Sequence, residues 1–136
     1  MRVYEAIVKA LEGVGVDAAF GGAGENAASL MLALKHAAKI KPVIVRHEQA
    51  ASFMACGYAI YSNRLGFCFA TAGPGAFNLF SGLAVAMSDS YPVLAISGYE
   101  RSTIKFSSPR RRVSVVKSAF RAGRARACGR RRAGGG

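Results

Sequence analysis

Several features that proteins often carry are missing from this chain of 136 residues. No apolar run reaches the roughly 18 residues that a membrane-spanning helix needs. The first residues include Glu5 and lack the apolar core of a signal peptide. The three cysteines, Cys56, Cys68 and Cys128, show no Cys-x-x-Cys spacing, so reduced thiols are expected, with the first two in the core. These absences predict a cytoplasmic protein that has no membrane partner.

Acidic residues are absent from the last 36 positions. Residues 1–100 hold 7 Lys/Arg and 7 Asp/Glu, whereas residues 101–136 hold 12 Lys/Arg and no acid. We therefore expect one folded domain over 1–100 and a basic, disordered tail over 101–136, in which only 113–116 could form a strand. The Arg/Ala/Gly-rich composition is typical of GC-rich DNA read out of frame, which suggests a frameshift and a truncated product. An Arg-rich tail also allows non-specific binding of nucleic acid through phosphate contacts.

Helical and extended patterns alternate along residues 1–98, which predicts an α/β fold. The expected class is an open parallel sheet with helices on both faces. The first predicted helix starts at Val3 and ends near Gly13, and three more cover 25–39, 49–62 and 76–88. The predicted strands cover 17–20, 43–48, 66–70 and 93–97. Small residues in the later helices would allow helices and sheet to approach closely.

Two features at the predicted strand ends outline a ligand crevice. Glu48 closes the buried strand predicted over 43–48, and a glycine loop follows the strand over 66–70. Open α/β sheets bind ligands at such carboxyl ends. Structural alternatives exist for each feature: Glu48 could cap the following helix, and the loop could be only a tight turn. Asn78 could be a first-turn helix residue, and His47 a support for the strand end.

Taken in order, the motifs resemble a known family. They are Val45-Arg46-His47-Glu48-Gln49-Ala50-Ala51, Gly57-Tyr58-Ala59, Ala72-Gly73-Pro74-Gly75-Ala76 with Asn78, and Asp89-Ser90-Tyr91-Pro92. The chain resembles the amino-terminal pyrimidine-binding domain of thiamine diphosphate enzymes, of the acetolactate synthase-like branch, over about residues 1–100. The turn at 20–24 resembles the family's FGxPG turn, with Ala23 where proline is usual. The implied fold is an incomplete thiamine diphosphate-binding fold.

The resemblance implies a cofactor, thiamine diphosphate, and roles for five residues. Glu48 would be the catalytic acid that hydrogen-bonds the aminopyrimidine nitrogen N1′. Gly73, Pro74, Gly75 and Asn78 would lie near the cofactor, the glycines letting the backbone approach it. The parent enzyme would decarboxylate and join 2-keto acids as a homo-oligomer. No metal ligand is expected in this chain, because the family's Mg²⁺ site lies on a separate domain that nothing here matches; the chain alone is expected to be inactive.

A dinucleotide-binding domain is an alternative that the residues leave open. Gly22-Ala23-Gly24-Glu25-Asn26-Ala27 fits the pattern GxGxxA after a strand, and an acid follows at Glu48. A helix before the first strand and the second glycine loop both argue against it. Nucleic-acid binding through the tail is the alternative that involves no enzyme.

Overall fold

The computed structural model describes residues 2–98 and the backbone of residues 114–117. The helices are α1 Val3–Gly13, α2 Ala28–Lys35, α3 Glu48–Ser62, α4 Pro74–Asn78 and α5 Phe80–Ser88, with a 3-10 turn over Glu25–Ala27 before α2. The strands are β1 Ala18–Gly21, β2 Lys41–Ile44, β3 Gly66–Ala70, β4 Val93–Ser97 and β5 Ser114–Lys117. Helices and strands alternate as predicted.

One sheet forms the centre of the described structure, with the strand order β2-β1-β3-β4-β5. The first four strands are parallel, which confirms the predicted α/β class and parallel sheet. The fifth strand pairs antiparallel with β4, Ser97 facing Ser114. It overlaps 113–116, the one stretch of the tail where the sequence allowed a strand. The rest of the tail and its predicted disorder lie outside the described residues.

Hydrophobic residues cover both faces of the sheet in two clusters. Alternation along β3 sends Phe67 and Phe69 to one face and Cys68 and Ala70 to the other. The first face packs against α1 and α2, and the second against α3 and α5. All five residues of β3 are buried, which agrees with a central strand covered on both sides.

The second strand differs from its prediction in position and burial. β2 covers Lys41–Ile44 instead of 43–48, and none of its residues is fully buried. The reason is topological, because within the described residues β2 pairs only with β1 and lies at the sheet edge. Glu48 therefore does not close a strand but begins α3.

Two predicted helices also differ in extent. The helix expected over 25–39 starts as a 3-10 turn and its α-helical part ends at Lys35, where His36 is the C-cap. The backbone N–H of Lys39 donates instead to Glu12 Oε1 at 2.8 Å, a contact between segments 27 residues apart. The helix expected over 76–88 is divided at Leu79 into α4 and α5.

Cys56 and Cys68 are free thiols in the core, as predicted. Burial raises the pKa of both, that of Cys68 to about 12. Among the described residues, no helix is long and apolar enough to cross a membrane.

Candidate functional site

Three chain segments meet at the carboxyl edge of the sheet. They follow β1, β2 and β3, which are parallel neighbours and so end at the same edge. From β1 the chain continues to β2 on one side, whereas from β3 it continues to β4 on the other. The strand order therefore reverses between β1 and β3, and this is the position where open α/β sheets form a ligand crevice.

Glu48 reaches this edge as the first residue of α3. The N-cap of α3 is His47, whose backbone is extended and whose Nδ1 accepts a hydrogen bond from the Gln49 backbone N–H at 3.2 Å. The helix cap is thus supplied by the histidine. This assigns a structural role to His47 and leaves the carboxylate of Glu48 available for other contacts.

The half-buried carboxylate of Glu48 is enclosed by residues from the two other segments. Glu48 Oε2 accepts a hydrogen bond from Asn78 Nδ2 at 3.1 Å. A Cβ atom placed on Gly22 would lie 3.3 Å from Oε1, and one placed on Gly75 would lie 3.1 Å from it. Side chains at these two positions would crowd Oε1, so the two glycines leave space around that oxygen.

The loop after β3 needs glycine for two separate reasons. Gly73 has φ 66° and ψ −126°, a backbone conformation that L side chains rarely adopt. Pro74 follows at the first position of α4, where its missing N–H and fixed φ are suited to a helix start. Gly75 is buried and approaches both Glu48 and Thr71. The loop therefore turns sharply into α4 and brings its buried glycine to the carboxylate.

The loop after β1 packs against the loop after β3. A Cβ atom on Gly24 would lie 2.4 Å from Thr71 Cβ, a distance that only glycine permits. Gly24 precedes the 3-10 turn, and the α-helix itself begins only at Ala28. The glycines that fit the pattern GxGxxA are thus used in packing against Thr71 and Glu48.

The structure brings three of the five predicted site residues together, namely Glu48, Gly75 and Asn78. Gly73 and Pro74 form the turn into α4 beside these three residues. Gly22 and Thr71 were not predicted as site residues. The signal for Gly22 was present in the glycine turn at 20–24, but nothing local showed that this turn would meet Glu48.

An ionic cluster lies at the opposite edge of the sheet. Asp17, just before β1, accepts from Arg64 Nη1 at 2.8 Å and from the hydroxyl of Tyr58. Burial and the contact with Asp17 raise the pKa of Tyr58. No group of three or more His, Cys, Asp or Glu residues in the described part of the chain could hold a metal ion.

Comparison with known proteins identifies the family. The profile described as "Thiamine pyrophosphate enzyme, N-terminal TPP binding domain" matches residues 1–107. Acetolactate synthase of Mycobacterium bovis is 46% identical over 94 residues, 69% of this chain and 15% of that protein. Acetolactate synthase 2, chloroplastic, of Brassica napus is 48% identical over 92 residues, 68% of this chain and 14% of that protein.

A probable acetolactate synthase large subunit of Methanococcus aeolicus is 46% identical over 98 residues, 72% of this chain and 16% of that protein. The chain therefore spans only 14% to 16% of the length of these three relatives. It belongs to the thiamine pyrophosphate enzyme family, as a form of the N-terminal TPP binding domain.

Proposed function

Because the chain belongs to this family, we propose that it provides the aminopyrimidine half of a thiamine diphosphate site. Glu48 is the acid that contacts the ring nitrogen N1′. The parent activity is that of an acetolactate synthase-like enzyme, which decarboxylates and joins 2-keto acids. The observation that carries the proposal is the position of Glu48 Oε1 between Gly22 and Gly75 at the point where the strand order reverses.

The residues at this edge suit an aminopyrimidine ring. A flat ring needs a polar partner for its nitrogen and backbone close to its faces or edges. Glycine permits the close approach of the backbone. Glu48 supplies an oxygen acceptor, and glycine at positions 22 and 75 keeps side-chain atoms from crowding that oxygen. These features support the fit of the pyrimidine half.

Thiamine diphosphate, when bound, supplies an electron sink for breaking the bond beside the carbonyl of a 2-keto acid. The contribution of this chain is to hold and move a proton at N1′ through the carboxylate of Glu48. A half-buried carboxylate suits this role, because it is partly shielded from water and would contact the ring nitrogen when the cofactor is bound. Glycines at 22 and 75 let the ring approach that oxygen.

The diphosphate and its Mg²⁺ ion need a second half-site. Residues 2–98 and 114–117 contain no cluster suited to a metal. We infer that the metal half comes from residues outside this part or from another subunit, which makes a homo-oligomer the expected assembly. Cytoplasmic location likewise remains a prediction.

The test is a titration of the full 136-residue chain with thiamine diphosphate, followed by amide NMR shifts. We expect binding in the millimolar range, because most of the diphosphate contacts are missing. Shifts should cluster at Gly22, Gly24 and 73–75, and Glu48→Gln should weaken the binding that they report about tenfold, the scale of a lost hydrogen bond to a charged group. Glu25→Gln is the matched control, because Glu25 is an exposed acid on the neighbouring 3-10 turn.

Two results would contradict the proposal. Shifts that spread elsewhere, or an affinity that is unchanged in Glu48→Gln, would remove Glu48 from the binding site. Tight binding that depends on Mg²⁺ would show that this chain carries a diphosphate site of its own.

A further inference from the structure

Asn78 contacts Glu48 directly. Its Nδ2 group donates to Glu48 Oε2 at 3.1 Å, across 30 residues of sequence, and both side chains are half-buried. An ionised carboxylate can only accept hydrogen bonds, and an amide NH₂ group can only donate. The pair is therefore matched in chemistry as well as in distance.

The hydrogen bond distinguishes the two oxygens of the carboxylate. Oε2 accepts from Asn78, whereas Oε1 lies next to Gly22 and Gly75, where an added Cβ would come within 3.3 Å and 3.1 Å of it. A glutamate side chain that is free in solution rotates among several rotamers. Fixing one oxygen restricts that rotation and holds the other oxygen beside the two glycines.

The glycine loop determines where Asn78 lies. Gly73 makes the turn with positive φ, Pro74 begins α4, and Asn78 is the last residue of that five-residue helix. A change in the turn would move the far end of so short a helix relative to α3. The loop thus meets Glu48 at two points, through the close approach of Gly75 and through the amide of Asn78.

We propose that Asn78 is a positioning residue that holds the Glu48 carboxylate toward the aminopyrimidine nitrogen, and is not itself a ligand of the cofactor. The inference rests on the proposed function for its ligand, but the pairing of the two side chains can be measured without any ligand.

The ligand-free experiment uses the full chain labelled for NMR. In the parent chain, the three-bond scalar couplings of the Glu48 side chain should indicate one dominant rotamer. Nuclear Overhauser contacts should also be seen between the Asn78 amide protons and the Glu48 Hγ atoms. Asn78→Leu keeps the approximate volume and removes the donor, so the couplings should move to averaged values. Gln49→Leu is the matched control, because it removes an exposed side-chain amide from the first turn of α3, next to Glu48. It should leave the Glu48 couplings unchanged.

A ligand experiment separates positioning from direct binding. In the same NMR titration, Asn78→Leu should weaken binding of thiamine diphosphate about tenfold, the scale of a hydrogen bond to a charged group. In the Glu48→Gln background the same change should weaken it by less than about twofold, because its effect passes through Glu48. If Asn78→Leu does not fold, Asn78→Asp keeps the shape and replaces the donor by a second carboxylate, which should also shift the Glu48 rotamer.

Unchanged Glu48 couplings in a folded Asn78 variant would overturn the proposal. Equal losses of affinity in the parent and Glu48→Gln backgrounds would overturn it too, because Asn78 would then contact the ligand itself. If the parent chain does not bind thiamine diphosphate, the proposed function fails and the ligand-free couplings alone decide the pairing.

Discussion

Gly82 of α5 packs directly against Ser52 of α3. A Cβ atom on Gly82 would lie 2.4 Å from Ser52 Oγ and 2.7 Å from its backbone carbonyl carbon. Ser52 is fully buried, and Cys56, one turn further along α3, donates its thiol to the Gly82 carbonyl at 3.2 Å. The two helices therefore approach at a distance that only glycine allows, as the small-residue composition predicted.

Replacing Gly82 by alanine should destabilise the chain. The new methyl group meets backbone as well as side-chain atoms of Ser52, so α3 and α5 would have to separate. We expect the free energy of unfolding to fall by about 1–3 kcal/mol, the scale of overpacking in a core. Urea unfolding of the full chain measures it.

Gly57→Ala is the matched control within α3. No heavy atom lies within 4 Å of a Cβ at this position. Alanine should therefore raise the free energy of unfolding by about 0.5–1 kcal/mol through its higher helix propensity. Equal effects at the two positions would contradict the close helix contact.

The buried thiol of Cys68 should make stability fall in alkali. Burial first, and then nearby Cys56, raise its pKa from the ordinary 9.0 to about 12. The folded chain holds this proton more tightly, so the stabilisation is complete below pH 9 and is lost as the pH rises towards 12. The titration of one thiol lowers the free energy of unfolding by at most about 1.4 kcal/mol per pH unit.

Unfolding measured between pH 8 and 11 (roughly the span in which the unfolded thiol ionises) tests this. Cys68→Ala should flatten the decline relative to the parent chain. Cys128→Ala is the control, since it removes a thiol from the predicted tail and should keep the parent slope. An unchanged slope in Cys68→Ala would mean that this thiol does not titrate differently on folding.

Glu48 is predicted to be essential in an intact enzyme. In a chimera that carries residues 1–100 in a full-length acetolactate synthase, Glu48→Gln should lower turnover at least about 100-fold. Glutamine keeps the size and a hydrogen bond but cannot exchange a proton with N1′. Glu25→Gln should change turnover little, because Glu25 is exposed on the 3-10 turn. Near-full activity of Glu48→Gln, or greater damage from Glu25→Gln, would show that Glu48 is not the catalytic acid.

Any affinity for nucleic acid is predicted to reside in residues 101–136, which hold 12 Lys/Arg and no acid. Binding should fall steeply with salt, with a slope of about 0.9 per phosphate contacted. Removal of residues 101–136 should abolish the binding and leave the circular dichroism of the core unchanged. A sequence-specific complex that survives high salt would contradict this interpretation.

Strand prediction succeeded where local signals agreed with burial. β3 and β4 have the bounds that the sequence predicted. Each strand begins directly after a segment that interrupts regular structure, which for β4 ends at Pro92. The apolar run at 43–45 predicted a buried strand, yet β2 lies at the sheet edge and ends at Ile44. Burial of a strand depends on its neighbours, which a local pattern does not specify.

The sequence alone determined the class of fold and the family, and it predicted a role for Glu48 and the glycine loop, because these depend on residues close together in the chain. Only the tertiary structure decided what surrounds the carboxylate. Asn78 reaches Glu48 across 30 residues, and Gly22 approaches it from the loop after β1. These contacts follow from the strand order β2-β1-β3, which brings separate loops to one edge. That order is set by packing on both faces of the sheet, a property of the whole domain.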